Sequence, residues 1–160
     1  MKSSLSLLAA LTLAFANFSA FAGPAVPFKA AFSTAFQSAL AYPFVFVQVA
    51  GEGKASHLGQ TAIESTDQVV DLENATVTAT YYLTAANGDQ LVVAVSLNAL
   101  FVTGGLQFGG NWQAVGGTGR FLNATGSGTL EGAALFTGPD TGVDHFILTG
   151  SISSVGSAKH

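Results

Sequence analysis

The sequence predicts an all-β chain of eight antiparallel strands closed as an up-and-down barrel. Three observations carry that reading. From Phe28 onward apolar residues recur with period two. The alternating segments are joined by short turns rich in Gly, Asn and Asp. No long amphipathic helix interrupts them, so nothing supplies a parallel crossover. Closure removes the two free edges that such strands otherwise expose to aggregation. Strand count alone also admits a β-sandwich.

Residues 1–22 read as an export signal. Lys2 gives a positive start, Leu5 to Phe15 an apolar run, and Ala20-Phe21-Ala22 a small-residue cleavage site. The run is too short for a membrane span. The expected product is exported, to a periplasm or the extracellular space. About 138 residues remain, enough for one domain. Within them, 23–27 read as a linker, 28–154 as the barrel and 155–160 as a frayed tail.

Phe28, Ala30, Phe32 and Phe36 share one face of a first strand, although the alanines also suit a helix. Pro43 opens a second strand, Phe44 to Val49, apolar on both faces. Gly51-Glu52-Gly53 reads as a turn and Lys54 to Glu64 as a third strand. Val77, Ala79, Tyr81, Leu83 and Ala85 then alternate with threonines and Tyr82, which suit a half-exposed strand. Asn87-Gly88 closes a hairpin, because both residues tolerate positive φ. The return strand carries Leu91, Val93, Val95, Leu97, Ala99 and Phe101. Thr103-Gly104-Gly105 turns into a sixth strand, Leu106 to Val115. A Gly-rich turn follows, then strands at Gly126 to Phe136 and Val143 to Ser153.

Composition narrows the function classes. The chain has no cysteine, which removes disulfides, thiol nucleophiles and thiolate metal sites. Charged residues make up 9% and the net charge is −4, the wrong balance for nucleic-acid binding. The mean hydropathy is high. That surplus needs a lined cavity, a subunit interface or a membrane-facing wall. The apolar second strand points to a homo-oligomer formed through the wall. A strand-spanning membrane barrel fits poorly, since one face of the fourth strand is threonine and tyrosine and no aromatic girdle is evident.

The segment Gly116-Gly117-Thr118-Gly119-Arg120-Phe121, followed by Ala124 and Gly126, resembles the Gly-rich turn of the plant allene oxide cyclases and the related dirigent proteins. Ala75 to Leu83 is similar to the cyclase strand before its hairpin. With His57-Leu58-Gly59 and Asn87-Gly88-Asp89, the pattern most resembles exported bacterial proteins with an allene-oxide-cyclase-like domain. The resemblance implies a calycin-type barrel. It assigns Gly116, Gly117, Gly119, Phe121 and Gly126 to a structural turn, with Phe121 as an end plug. The cyclases' cavity cysteine has no counterpart here, so their catalytic set is not carried over.

The candidate ligand contacts are His57, Tyr81, Trp112 and Arg120. His57 is read as mid-strand, in phase with Gly59, Thr61 and Ile63, where an imidazole titrates near neutrality. Tyr81 is in phase with Val77, Ala79 and Leu83 and so points inward, as a cavity wall or as plain core. Trp112 is a second large amphipathic ring, and Arg120, the only arginine, could attract an anion or bind turn carbonyls. Glu64 and Glu131 are expected to face solvent, and His145, after Asp144, to sit at an exposed strand start. His160 lies in the tail. No histidine spacing suits a metal and no G-x-S-x-G is present, so no cofactor and no hydrolase are expected. The function expected is an exported barrel that binds a small apolar molecule in its lumen or serves as a non-catalytic module. The alternative is a cyclase or isomerase that shapes a reactive apolar substrate. A dry cavity with a polar group at one end would favour the alternative.

Overall fold

The structure is a computed structural model, and residues 24–153 are described. The proposed signal, residues 1–22, and the tail from 154 lie outside the described residues. The strands are β1 (Ala25–Ala41), β2 (Phe44–Ala55), β3 (Gly59–Asp71), β4 (Thr76–Ala85), β5 (Gln90–Val102), β6 (Gly105–Gly117), β7 (Gly126–Phe136) and β8 (Thr141–Ser153). A single 3₁₀ turn, Gly119–Phe121, stands between β6 and β7. Every strand pairs antiparallel with its sequence neighbours, and β1 pairs with β8 to close the barrel. The sandwich alternative is thereby set aside.

Alternation decides which side chains enter the lumen. Phe28, Ala30, Phe32, Thr34 and Phe36 of β1 are buried, and the residues between them are exposed. The helical alternative for this segment does not occur. Inward positions around the barrel are mostly apolar, with Thr34, Thr61, Ser65 and Asp144 as the buried polar ones, while Gln60, Glu64 and Glu131 face out. That is the reverse of a strand-spanning membrane barrel, which is apolar outside. Among the described residues, no helix is long and apolar enough to cross a membrane.

Three boundaries differ from the sequence reading. Ala25–Pro27, taken as linker, belong to β1 and pair with Ser151–Ser153 of β8. Gly51-Glu52-Gly53 is not a turn but part of β2, paired with Thr34, Ser33 and Phe32. The reason is steric: a Cβ on Gly51 or Gly53 would run into the β1 backbone at Ser33 and Ala31. The true turn is at Ser56–Leu58, which moves the start of β3 to Gly59. His57 therefore leaves the strand; it sits in that turn with φ of 67°.

The β3 ladder carries a bulge. Glu64 pairs with Tyr82 and Val69 with Thr78, so β3 uses one residue more than β4 across the gap. Before the bulge the odd residues Thr61, Ile63 and Ser65 are buried; after it the buried residue is Val70. The phase flip turns Gln68 toward the lumen. Asp67 fills the broken ladder, accepting the Thr80 N–H at 2.8 Å and the Ser65 hydroxyl at 3.0 Å. Burial opposes its charge, but these hydrogen bonds prevail and hold its carboxyl below the usual range.

The end reached by the β2–β3, β4–β5 and β6–β7 turns is filled. Trp112, Phe28, Leu83, Leu91, Leu130, Leu148 and Ile152 are essentially inaccessible, and Phe121 plugs the end with no exposure. Gly119 holds φ of 55°, and a Cβ there would strike the Asp89 carboxylate. Gly119→Val should therefore destabilise the fold by more than about 1 kcal/mol. Chemical denaturation measures this, and an unchanged midpoint would count against the turn as scaffold.

Candidate ligand cavity and its carboxyl

The opposite end is hollow. A cup of about 90 Å³ opens between the β1–β2, β3–β4, β5–β6 and β7–β8 turns. Its wall is apolar, with Val45, Val47, Val70, Val77, Leu97 and Leu106 among its residues, and Phe36, Phe101, Phe108 and Phe136 supply rings. Tyr81 and Phe108 of this lining rest on a buried aromatic cluster. Phe146 packs on Tyr81 at 5.6 Å between ring centres, nearly parallel, and on Phe32 and Phe108 at 5.7 and 6.2 Å.

Three polar side chains reach this apolar space: Asp144, Gln68 and Tyr81, with Ser38 nearer the rim. Asp144 is the chemically distinctive one. The residue is 6% exposed, and its one hydrogen-bond donor among the described residues is the Thr34 hydroxyl, at 3.3 Å. Burial pushes its pKa from 3.8 up to about 6, with the Thr34 bond pulling weakly the other way. Tyr81 donates its hydroxyl to Gln68 Oε1 at 2.9 Å. Burial, then the charges of Asp144 and Asp67, push the Tyr81 pKa up, so the phenol stays protonated.

Of the four ligand contacts read from the sequence, only Tyr81 lines the cup. His57 lies exposed at the filled end, where its Nε2 sits 3.0 Å from the Pro27 carbonyl oxygen. Trp112 is buried in the filled half; its indole N–H donates to the Thr149 carbonyl at 3.3 Å and its ring meets Phe28 edge-on. Arg120 pairs with Asp89 at 2.7 Å and lies over the Phe121 ring at 5.4 Å. That bond, then one from Asn87, lowers the Asp89 pKa. Arg120 thus holds the Gly-rich turn to the β4–β5 hairpin. His145 is exposed and shares a 2.9 Å hydrogen bond with Ser33.

Asp144 escaped the sequence reading because Gly138-Pro139-Asp140 and His145 suggested an exposed strand start. The signal was present: Asp144 is in phase with Phe146, Leu148 and Ile152, all inward. Among the described residues no group of three or more His, Asp or Glu side chains is placed to hold a metal ion.

The mouth is ringed by exposed apolar side chains. Leu40 and Tyr42 are 69% and 73% exposed at the β1–β2 tip, with Phe44 and Phe46 beside them. Leu100, Phe101 and Val102 extend the ring at the β5–β6 tip, and Leu135 and Phe136 at the β7–β8 tip. The β3–β4 tip is polar, built on Asp71, whose carboxylate accepts from Asn74 and from the Glu73 N–H.

This architecture is that of a dirigent-like barrel. The chain is similar to the solved structure of the pterocarpan synthase dirigent protein GePTS1, with a TM-score of 0.51 and 13% identity over 85% of this chain and 90% of that one. At that identity the likeness shows the fold. No protein-family model matches the chain, and no curated protein does.

The buried carboxyl has a consequence for stability. Its folded pKa lies above its unfolded value, so ionising it penalises the native state. The penalty is absent below about pH 4, grows through pH 4–6 and is complete above about pH 6, reaching on the order of 2–3 kcal/mol. Asp144→Asn should remove it. The stability difference between variant and native chain, from urea melts, should shift in the variant's favour between pH 4 and pH 7; a pH-independent difference would contradict the burial of a titrating group.

Proposed function

We propose that the barrel is an exported binding protein for a small, mostly apolar molecule whose leading end carries a hydroxyl or carbonyl. The single observation behind this is the cup itself, an apolar-walled space with one buried carboxyl at its inner end. Hydrophobic walls supply affinity, and a few placed polar groups set orientation. Asp144 suits either state of the ligand's end. Its carboxylic acid donates to a carbonyl, and its carboxylate accepts from a hydroxyl. The cup is smaller than the engineered apolar cavity of about 150 Å³ that accepts benzene. The inserted part is therefore about the size of a short alkyl chain or small ring, and the rest lies against the rim. The signal-like start of the chain supports export.

4-Propylphenol is a suitable probe, followed by amide chemical shifts in ¹⁵N-labelled protein. Saturable shifts should appear at Thr34, Gln68 and Asp144. Val70→Phe, which fills the cup, should abolish them, and Asp144→Leu should weaken binding about tenfold by removing a charge-assisted hydrogen bond. Shifts confined to the filled end, or binding indifferent to Val70→Phe, would refute the reading.

A second reading rests on the same placement, a polar group at one end of an apolar cup, and on burial raising the Asp144 pKa to about 6, which suits proton transfer near neutrality. It is the cyclase or isomerase alternative, with Asp144 moving a proton on a substrate held dry by the walls. Conversion of 3-cyclohexenone to the conjugated 2-cyclohexenone tests it. Catalysis should follow a group titrating near pH 6 and vanish in Asp144→Asn; equal rates in both chains would remove the reading.

A further inference from the structure

The exposed apolar side chains are distributed along the barrel axis in a way that plain surface scatter does not produce. Among the described residues, large ones crowd three of the four turns at the open end, while Leu122 and Val115 lie toward the filled end and Tyr82 and Ile147 stand singly on the wall. They belong to strands well separated around the closed barrel, so they form a collar about the cavity mouth and not a patch on one flank. Contiguous exposed apolar surface marks a site of interaction.

We propose that this collar docks on the surface of a zwitterionic lipid bilayer, tips inserted, with the cup opening toward the acyl chains. Three features select that occupant. A fluid apolar layer accepts a ring of separate tips such as Leu40, Phe44, Leu100 and Leu135 without a matching shape. The four turns at this end, residues 38–46, 71–76, 98–106 and 134–141, contain no lysine or arginine but carry Asp71, Glu73 and Asp140. Those carboxylates complement the ammonium groups of phosphatidylcholine and oppose anionic lipid. A mouth-to-mouth pairing of two copies would bring the same carboxylates toward one another, which disfavours a second copy as the occupant. Tyr42, its hydroxyl 3.4 Å from Glu73, has the amphipathic form found at membrane interfaces. An apolar molecule could then pass between bilayer and cup without crossing water. The docking does not depend on what the cup holds, and the experiment uses no ligand.

The absence of cysteine makes a direct test available on the chain from Gly23, the product expected after export, which lacks the apolar Leu5 to Phe15 run that would itself partition into lipid. A single cysteine introduced as Leu100→Cys, or at the filled end as Ala86→Cys, is labelled with the polarity-sensitive fluorophore NBD. Extruded phosphatidylcholine vesicles should raise and blue-shift the emission at position 100 and leave position 86 unchanged. Adding Leu40→Ser and Leu135→Ser to the Leu100→Cys chain should cut the partition coefficient about tenfold. All of these positions are exposed, so the fold is retained, as circular dichroism would check. Replacing half the lipid with phosphatidylglycerol should weaken partitioning. No change at position 100 would overturn the proposal, as would equal changes at both ends. So would stronger partitioning on anionic vesicles, or a vesicle-independent change at position 100 that grows with protein concentration, the mark of pairing between copies.

Discussion

The ladder between β1 and β8 is the interaction on which the rest of this structure depends. It joins the two ends of the strand series and turns an open sheet with two exposed edges into a closed wall. Its register also builds the site. Thr34 stands opposite Asp144 and Phe32 opposite Phe146, so the same pairing that closes the barrel sets the carboxyl beside its hydroxyl donor and packs an aromatic pair two residues further along the strands. A one-residue slip of β8 against β1 would turn Asp144 and Phe146 outward.

A closed eight-stranded barrel has an interior that side chains can just fill. This one is filled at one end only. Trp112, Phe28 and Phe121 occupy the lower half, and Arg120 with Asp89 ties the Gly-rich turn over it. At the other end valines, Ala134, Asp144 and the rings of Phe36, Phe101, Phe108 and Phe136 line the wall without meeting at the axis, which leaves the cup. The β3 bulge contributes from the other side, turning Gln68 inward to receive the Tyr81 hydroxyl while Asp67 mends the ladder. Filled lower half and hollow upper half are two consequences of one alternating pattern.

Much of this was legible in the residues. Period two from Phe28, the Asn87-Gly88 hairpin and the Gly116 to Gly126 turn led to the closed barrel, its connectivity and the plug at Phe121. Tyr81 was placed inward by its phase with Val77 and Leu83. Three features resisted. Gly51 and Gly53 look like a turn, because sequence does not show a neighbouring backbone that excludes a Cβ. His57 followed that error out of its strand. Trp112 and Arg120 are chemically attractive side chains, but which end of a barrel is packed depends on the sum of volumes across all strands, and no local pattern reports that. Asp144 lost out to its neighbours: a carboxylate just after a Gly-Pro turn reads as solvent-facing until the phase of the whole strand is applied to it.

The central claim is that a single carboxyl is held inside an apolar cup by the closing ladder. The most direct measurement is the titration of the Asp144 side-chain carboxyl carbon by ¹³C NMR in the intact protein. Burial in the cup predicts a midpoint near pH 6. A midpoint at or below the ordinary value of 3.8 would mean that the group is solvated or ion-paired, and would contradict the account.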